Sequence, residues 1–216
     1  MSGPSAPSRH TPQVAAPYQM RLLRTDAERA EAGALVEDRL RWLTLRGLPM
    51  PMRQDVPGLY RATSGAQRET AGLFEDDVLL ACLIVAPGPA LRHWGRDGNS
   101  PSLFLGHVHT RPAHPNDVLR LITLWASDHA ARLDLPCVRA EALARRDLSS
   151  DPILPVLHRL DDMGWTVRGA GRVTDGERVA RLELAAESRP GLTALIDCSV
   201  PLPRQPVLRS GGRRSL

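Results

Sequence analysis

The chain has no lysine: every one of its 28 Lys-or-Arg positions is arginine. No single binding mechanism would exclude one residue type from 216 positions, so the absence points to the codon bias of a GC-rich, bacterial genome. Aromatic residues are also scarce, at 4%, which leaves Leu, Val and Ala to build most of the core. Only three cysteines occur, Cys82, Cys137 and Cys198, with no CxxC pair among them. That spacing excludes a disulfide scaffold and a thiolate metal site. No apolar run reaches the ~18 residues of a membrane-spanning helix, and none at the N-terminus resembles a signal peptide. These absences set a cytoplasmic location, away from the membrane, as the expectation.

What is present is an ordinary globular balance, 42% hydrophobic and 24% charged, over a length that suits one domain. The net charge of +4 is unevenly placed. Residues 1–24 carry +3 and residues 189–216 carry +4, so the middle carries −3. The basic character belongs to the ends, and the acidic middle argues against a nucleic-acid groove. Residues 1–17, rich in Pro, Ser and Ala, read as a disordered leader, and 189–216 as a Pro/Arg-rich flexible tail in which only the short run Leu192–Ile196 could dock. Residues 18–188 form the expected domain.

Within it the patterns alternate. Residues 19–23 read as a strand, and Thr25-Asp-Ala-Glu28 matches a capping box opening a helix to about Arg46. Residues 51–65 read as a long loop with room for a short helix. A hairpin follows, 71–74 and 78–85 around Glu75-Asp76-Asp77, the second strand apolar on both faces. A Pro/Gly-rich loop at 87–101 leads to a strand at 102–109. Asn116 or Asp117 caps a helix to about Asp134, with Val118, Leu121, Ile122, Trp125, His129 and Leu133 facing inward. A strand at 137–142 and a helix opening at Asp151-Pro152 and ended by Gly164 come next. Strands at 165–168 and 178–184, turning at Asp175-Gly176, close the series. The order β-α-β-β-β-α-β-α-β-β predicts an α/β (α+β) fold, a mixed and mostly antiparallel sheet with helices on both faces.

This order resembles the GNAT superfamily of acyl-CoA-dependent N-acetyltransferases over roughly residues 19–185. Two segments carry the resemblance, Val108-His-Thr-Arg-Pro-Ala-His-Pro-Asn-Asp-Val118 and Leu157-His-Arg-Leu-Asp-Asp-Met-Gly-Trp165. The first stands where the family has a strand end, a phosphate-binding loop and a helix start. The second matches a late helix ending in a Gly–aromatic pair. The resemblance implies transfer of an acyl group from acetyl-CoA, as co-substrate, to an amine on a small molecule or peptide, without a metal. It leaves a homodimer open. Strand amides at Val108, His109 and Thr110 would hold the pantetheine arm. His114, Asn116, Asp117, Val118 and Leu119 would form the loop and helix start that meet the pyrophosphate, and Arg111 or Arg120 would pair with it.

The family's loop is Arg/Gln-x-x-Gly-x-Gly/Ala, and here Pro115, Asp117 and Leu119 replace its small residues. The proline removes a donor and the aspartate opposes a phosphate. The family's acidic tyrosine falls on Leu160. For a base, His107 and His109 stand two apart on one strand, hence on one face, with Glu141 on the next strand as the other candidate. The alternative reading is a GNAT-like module without catalysis that binds a protein partner. A ladder open between the strands near His107 would favour a pantetheine slot, and a closed one the module.

Overall fold

The computed structural model describes residues 15–51, 56–61, 68–112, 115–173 and 176–200. Most of the leader, the far tail, His114 and Asp175 lie outside the described residues. The chain runs β1 (Tyr18–Leu22), α1 (Asp26–Leu45), α2 (Val56–Arg61), β2 (Glu69–Glu75), β3 (Val78–Pro87), β4 (Leu103–Thr110) and α3 (Pro115–Arg132). It continues through β5 (Cys137–Leu143), α4 (Leu154–Asp161), β6 (Thr166–Arg172), β7 (Arg178–Ala185) and β8 (Ile196–Cys198). No helix among the described residues is long and apolar enough to cross a membrane.

Local chemistry sets the boundaries. Thr25 accepts from the Glu28 amide at 3.1 Å and Glu28 accepts from the Thr25 amide at 2.9 Å, the reciprocal bonds of a capping box. Asp76 and Asp77 both take positive φ, at 45° and 64°, as a two-residue turn compatible with strand twist requires. Pro115 opens α3 one residue before the expected cap, where its missing amide costs no helical bond. Asp151 does not cap α4. Its carboxylate gathers the amides of Arg145, Arg146 and Ile153 at 2.6, 2.6 and 3.0 Å, which closes the preceding loop and delays the helix to Leu154.

The strands form one sheet in the order β6-β7-β5-β4-β3-β2-β1-β8. Pairs β4–β5 and β1–β8 are parallel, and the rest are antiparallel. The larger core lies under α3 and α4, with Trp125, Ile122, Leu157 and Trp165 against Leu83, Leu103, Leu105 and Val138. The smaller core lies under α1 and α2, with Val36, Val56 and Tyr60 against Phe74, Leu79 and Cys82.

The expected flexible tail is corrected over its first part. A 3-10 turn at Pro190–Ala194 leads into β8, and Leu192, Ile196 and Val200 are buried in the larger core. Asp128 on α3 accepts the Arg189 amide at 2.7 Å, and Met20 accepts the Ser199 amide at 3.0 Å. The physical reason is that Leu192, Ile196 and Val200, every fourth residue, dock around a strand of only three residues, a pattern too short to show periodicity.

Candidate active site

The site lies where the sheet divides. Parallel pairing of β4 with β5 covers only Leu103–Val138, Phe104–Arg139 and Leu105–Ala140. Beyond those pairs β4 stays with β3 as far as Thr110, and β5 stays with β7 as far as Leu143. The two halves of the sheet therefore part after Leu105 and Ala140, leaving a fork whose facing strand edges have no partner strand among the described residues.

A bulge shapes one side of the fork. Cys82 stands opposite His109 and Ile84 opposite Gly106, so Leu83 faces two β4 residues, His107 and Val108. His107 takes φ 49°, a left-handed conformation rare outside glycine, and its carbonyl accepts the Tyr60 hydroxyl from α2. The bulge overturns the expectation that His107 and His109 share a face. His107 is exposed, Val108 packs on the larger core, and His109 is buried on the α1 side, edge-on to Tyr60 at 6.0 Å. Burial, with the cationic neighbourhood of His107 and Arg39, pushes the His109 imidazole down to about 3. That imidazole is neutral at any working pH and enclosed, so it is a core residue and not a base for an arriving amine.

The remaining expected residues separate. Thr110 is buried at the end of β4. Arg111 is turned away from the helix start: its Nε donates to the Leu79 carbonyl at 2.6 Å and its NH2 pairs with Glu31 of α1 at 3.5 Å. The expected phosphate partner is thus already engaged on the α1 side. In α3, Val118 is core, Leu119 is half-buried against it, and Asp117 is exposed in the first turn. Asn116 contributes its backbone to the same turn. Arg120 is exposed and makes no ion pair among the described residues. Leu160, at the place of the family's acid, is buried in the larger core.

Glu141 is the first β5 residue beyond the last β4 pair. Strand alternation puts Val138 and Ala140 in the larger core, so Arg139 and Glu141 point to the opposite face. There Glu141 Oε1 accepts Trp94 Nε1 at 2.6 Å and contacts His93 Nε2. Both partners come from the 3-10 segment Arg92–Asn99 between β3 and β4, which pattern reading gives only as loop. An adjacent His-Trp pair inside a Gly-rich stretch was the one available signal. A surface depression of about 840 Å³ lies elsewhere, between Tyr18, Asp76, Asp77 and Asp197 on the far edge strands.

No family model matches the chain, and no curated protein sequence matches it significantly. Solved structures do. A GNAT-family acetyltransferase from Listeria monocytogenes aligns with TM-score 0.57 at 15% identity, covering 77% of this chain and 95% of its own. The ribosomal-protein-S18-alanine N-acetyltransferase of Escherichia coli aligns with TM-score 0.53 at 13% identity, covering 80% and 96%. An aminoglycoside 6'-N-acetyltransferase solved with coenzyme A aligns with TM-score 0.52 at 10% identity, covering 79% and 98%.

Proposed function

We propose, from a chain with the GNAT acetyltransferase fold, that this protein transfers an acetyl or other acyl group from acyl-CoA to an amine. The observation that carries this reading is the fork: β4 and β5 pair over three residues and then part. A strand edge freed in this way offers backbone donors and acceptors to the amides of a pantetheine arm, much as an added strand would. On the β4 side, Val108, His109 and Thr110 would supply that edge. The first turn of α3 would meet the pyrophosphate with its free amides, and Arg120 would pair with it directly.

The residues fit the arm better than the phosphates. Asp117 in the first turn opposes an anion, and Leu119 stands where the family keeps a small residue. Arg120 is the compensating charge. Catalysis in such a site is mainly positioning, with the amine held against the thioester carbonyl on the Glu141 side of the fork. The spermidine and aminoglycoside N-acetyltransferases among the similar structures are named for amine substrates, which supports the reading of an amine acceptor here.

Calorimetric titration with acetyl-CoA, desulfo-CoA and pantetheine tests the reading. Binding at micromolar strength is expected, weakened about tenfold in Arg120→Ala, the size of one charge-assisted contact. Arg111→Ala should leave it unchanged. Absence of heat and of any thermal shift at millimolar acetyl-CoA would overturn the enzyme reading and favour a non-catalytic module.

A further inference from the structure

The connection between β3 and β4 is built too firmly for a spacer. Arg139 NH1 donates to the Asp97 carbonyl at 2.5 Å and to the Ser100 carbonyl at 3.3 Å, and Arg181 NH2 donates to the His93 carbonyl. Both guanidinium groups lie over the Trp94 ring, at 5.2 and 5.9 Å. Gly171 on β6 leaves the space that the Arg181 guanidinium fills: a Cβ there would stand 2.4 Å from its Nε. The hydrogen bonds hold the backbone that carries His93 and Trp94, and the guanidinium groups cover the Trp94 ring.

We propose that His93 and Glu141 form one proton-accepting unit at the fork, with His93 as the catalytic base and Glu141 and Trp94 as positioning residues. The proposal rests on the acyl-transfer reading above. An ionised carboxylate only accepts, so its contact with His93 assigns the hydrogen to Nε2. The neutral ring then carries its lone pair on Nδ1. That atom makes no hydrogen bond among the described residues, and the His93 side chain is 22% exposed. Glu141 is itself fixed by Trp94, so the ring is held by a carboxylate that cannot turn away. This is the orienting logic of a carboxylate–imidazole pair, here assembled from β5 and the β3–β4 connection.

The step balances without an added acid. The acceptor ammonium gives one proton to His93 Nδ1, and the freed amine nitrogen attacks the thioester carbonyl carbon. A C–N bond forms, the C–S bond breaks, and the thiolate leaves with the second amine proton as a thiol. His93 then returns its proton to solvent. Ammonium and thioester become amide, thiol and one proton, and a buried leucine at position 160 is no obstacle.

The charges that set the unit's pH response surround it on three strands and its own segment. They are Glu141 and Arg139 on β5, Arg181 and Glu183 on β7, Arg168 on β6, and Arg92, Arg96 and Asp97 beside His93.

Thiol release from acetyl-CoA by the full chain is measured with spermidine, an aminoglycoside and a peptide with an N-terminal alanine, from pH 6 to 9. His93→Ala should lower kcat about 100-fold or more, the usual worth of a general base, with acetyl-CoA affinity by calorimetry unchanged. Added imidazole should restore part of that rate. His93→Gln keeps a donor for Glu141 yet takes no proton, and should be as slow as His93→Ala. Glu141→Gln should lower kcat with acetyl-CoA affinity unchanged, and Glu141→Asp should restore part of the rate. Wild-type kcat and pH profile in both His93 variants, or a loss that imidazole does not relieve, would overturn the unit while leaving acyl transfer intact. Acetyl-CoA binding without thiol release to any of the three acceptors would overturn it too. No acetyl-CoA binding by the wild-type chain would remove the acyl-transfer reading first.

Discussion

His109 is buried beside Tyr60 with its Nε2 unpaired, and His129 is buried beneath Trp125, stacked at 5.0 Å. Burial pushes the first down to about 3 and the second to about 4. In the unfolded chain both titrate near 6.5, so between these limits the unfolded state binds more protons than the folded one. The associated stability is complete above about pH 7 and is lost as the pH falls. At pH 5 each histidine accounts for up to about 2 kcal/mol. Urea unfolding at pH 7.5 and 5.0 should show the loss, and His109→Gln should remove about half of it. An unchanged pH slope in that variant would contradict the burial argument. The same residue marks a limit of sequence reading. Alternation puts positions 107 and 109 together, and only the bulge opposite Leu83 separates them. A bulge is a property of the pair of strands, and one strand's sequence does not display it.

At the scale of elements, legibility followed the length of the signal. α1 begins where its capping box says, and α3 buries the stripe Val118, Leu121, Ile122, Trp125 and His129. Gly164-Trp165 closes α4 with φ 92° on the glycine and the tryptophan buried, its Nε1 on Thr123 at 3.0 Å. The Arg92–Asn99 segment has no repeat to read, because tertiary partners on β5 and β7 hold it. Its shape depends on Gly98, where a Cβ would stand 1.9 Å from the Leu91 carbonyl oxygen. Backbone meets backbone there, so neither side can rotate away. Gly98→Ala should cost about 1–3 kcal/mol and displace His93 and Trp94 together. The emission of Trp94 would shift to the red as its ring leaves the Arg139 and Arg181 guanidiniums, and thiol release would fall with it. Unmoved emission together with full activity would show that the segment tolerates repacking.

Across the whole molecule, the two halves of the sheet meet through three residue pairs at the fork, while the opposite edge is closed by β8. The two places answer to different demands. The fork leaves strand edges without a partner strand among the described residues, and β8 adds core at the far edge. Leu192, Ile196 and Val200 are each less than a tenth exposed, and burying such side chains is worth roughly 1.5–3 kcal/mol apiece. Their sum, about 5 kcal/mol or more, is comparable with the whole stability of a domain this size. A chain ending at Ser188 should therefore unfold at much lower denaturant than one ending at Val200. Because β8 borders β1, three strands from β4, the folded fraction of the shorter chain should keep its acetyl-CoA affinity. Urea titration and calorimetry on the same two chains separate these effects. Equal midpoints would mean that β8 only rests on the sheet. A lost affinity in folded protein would mean that the far edge supports the fork.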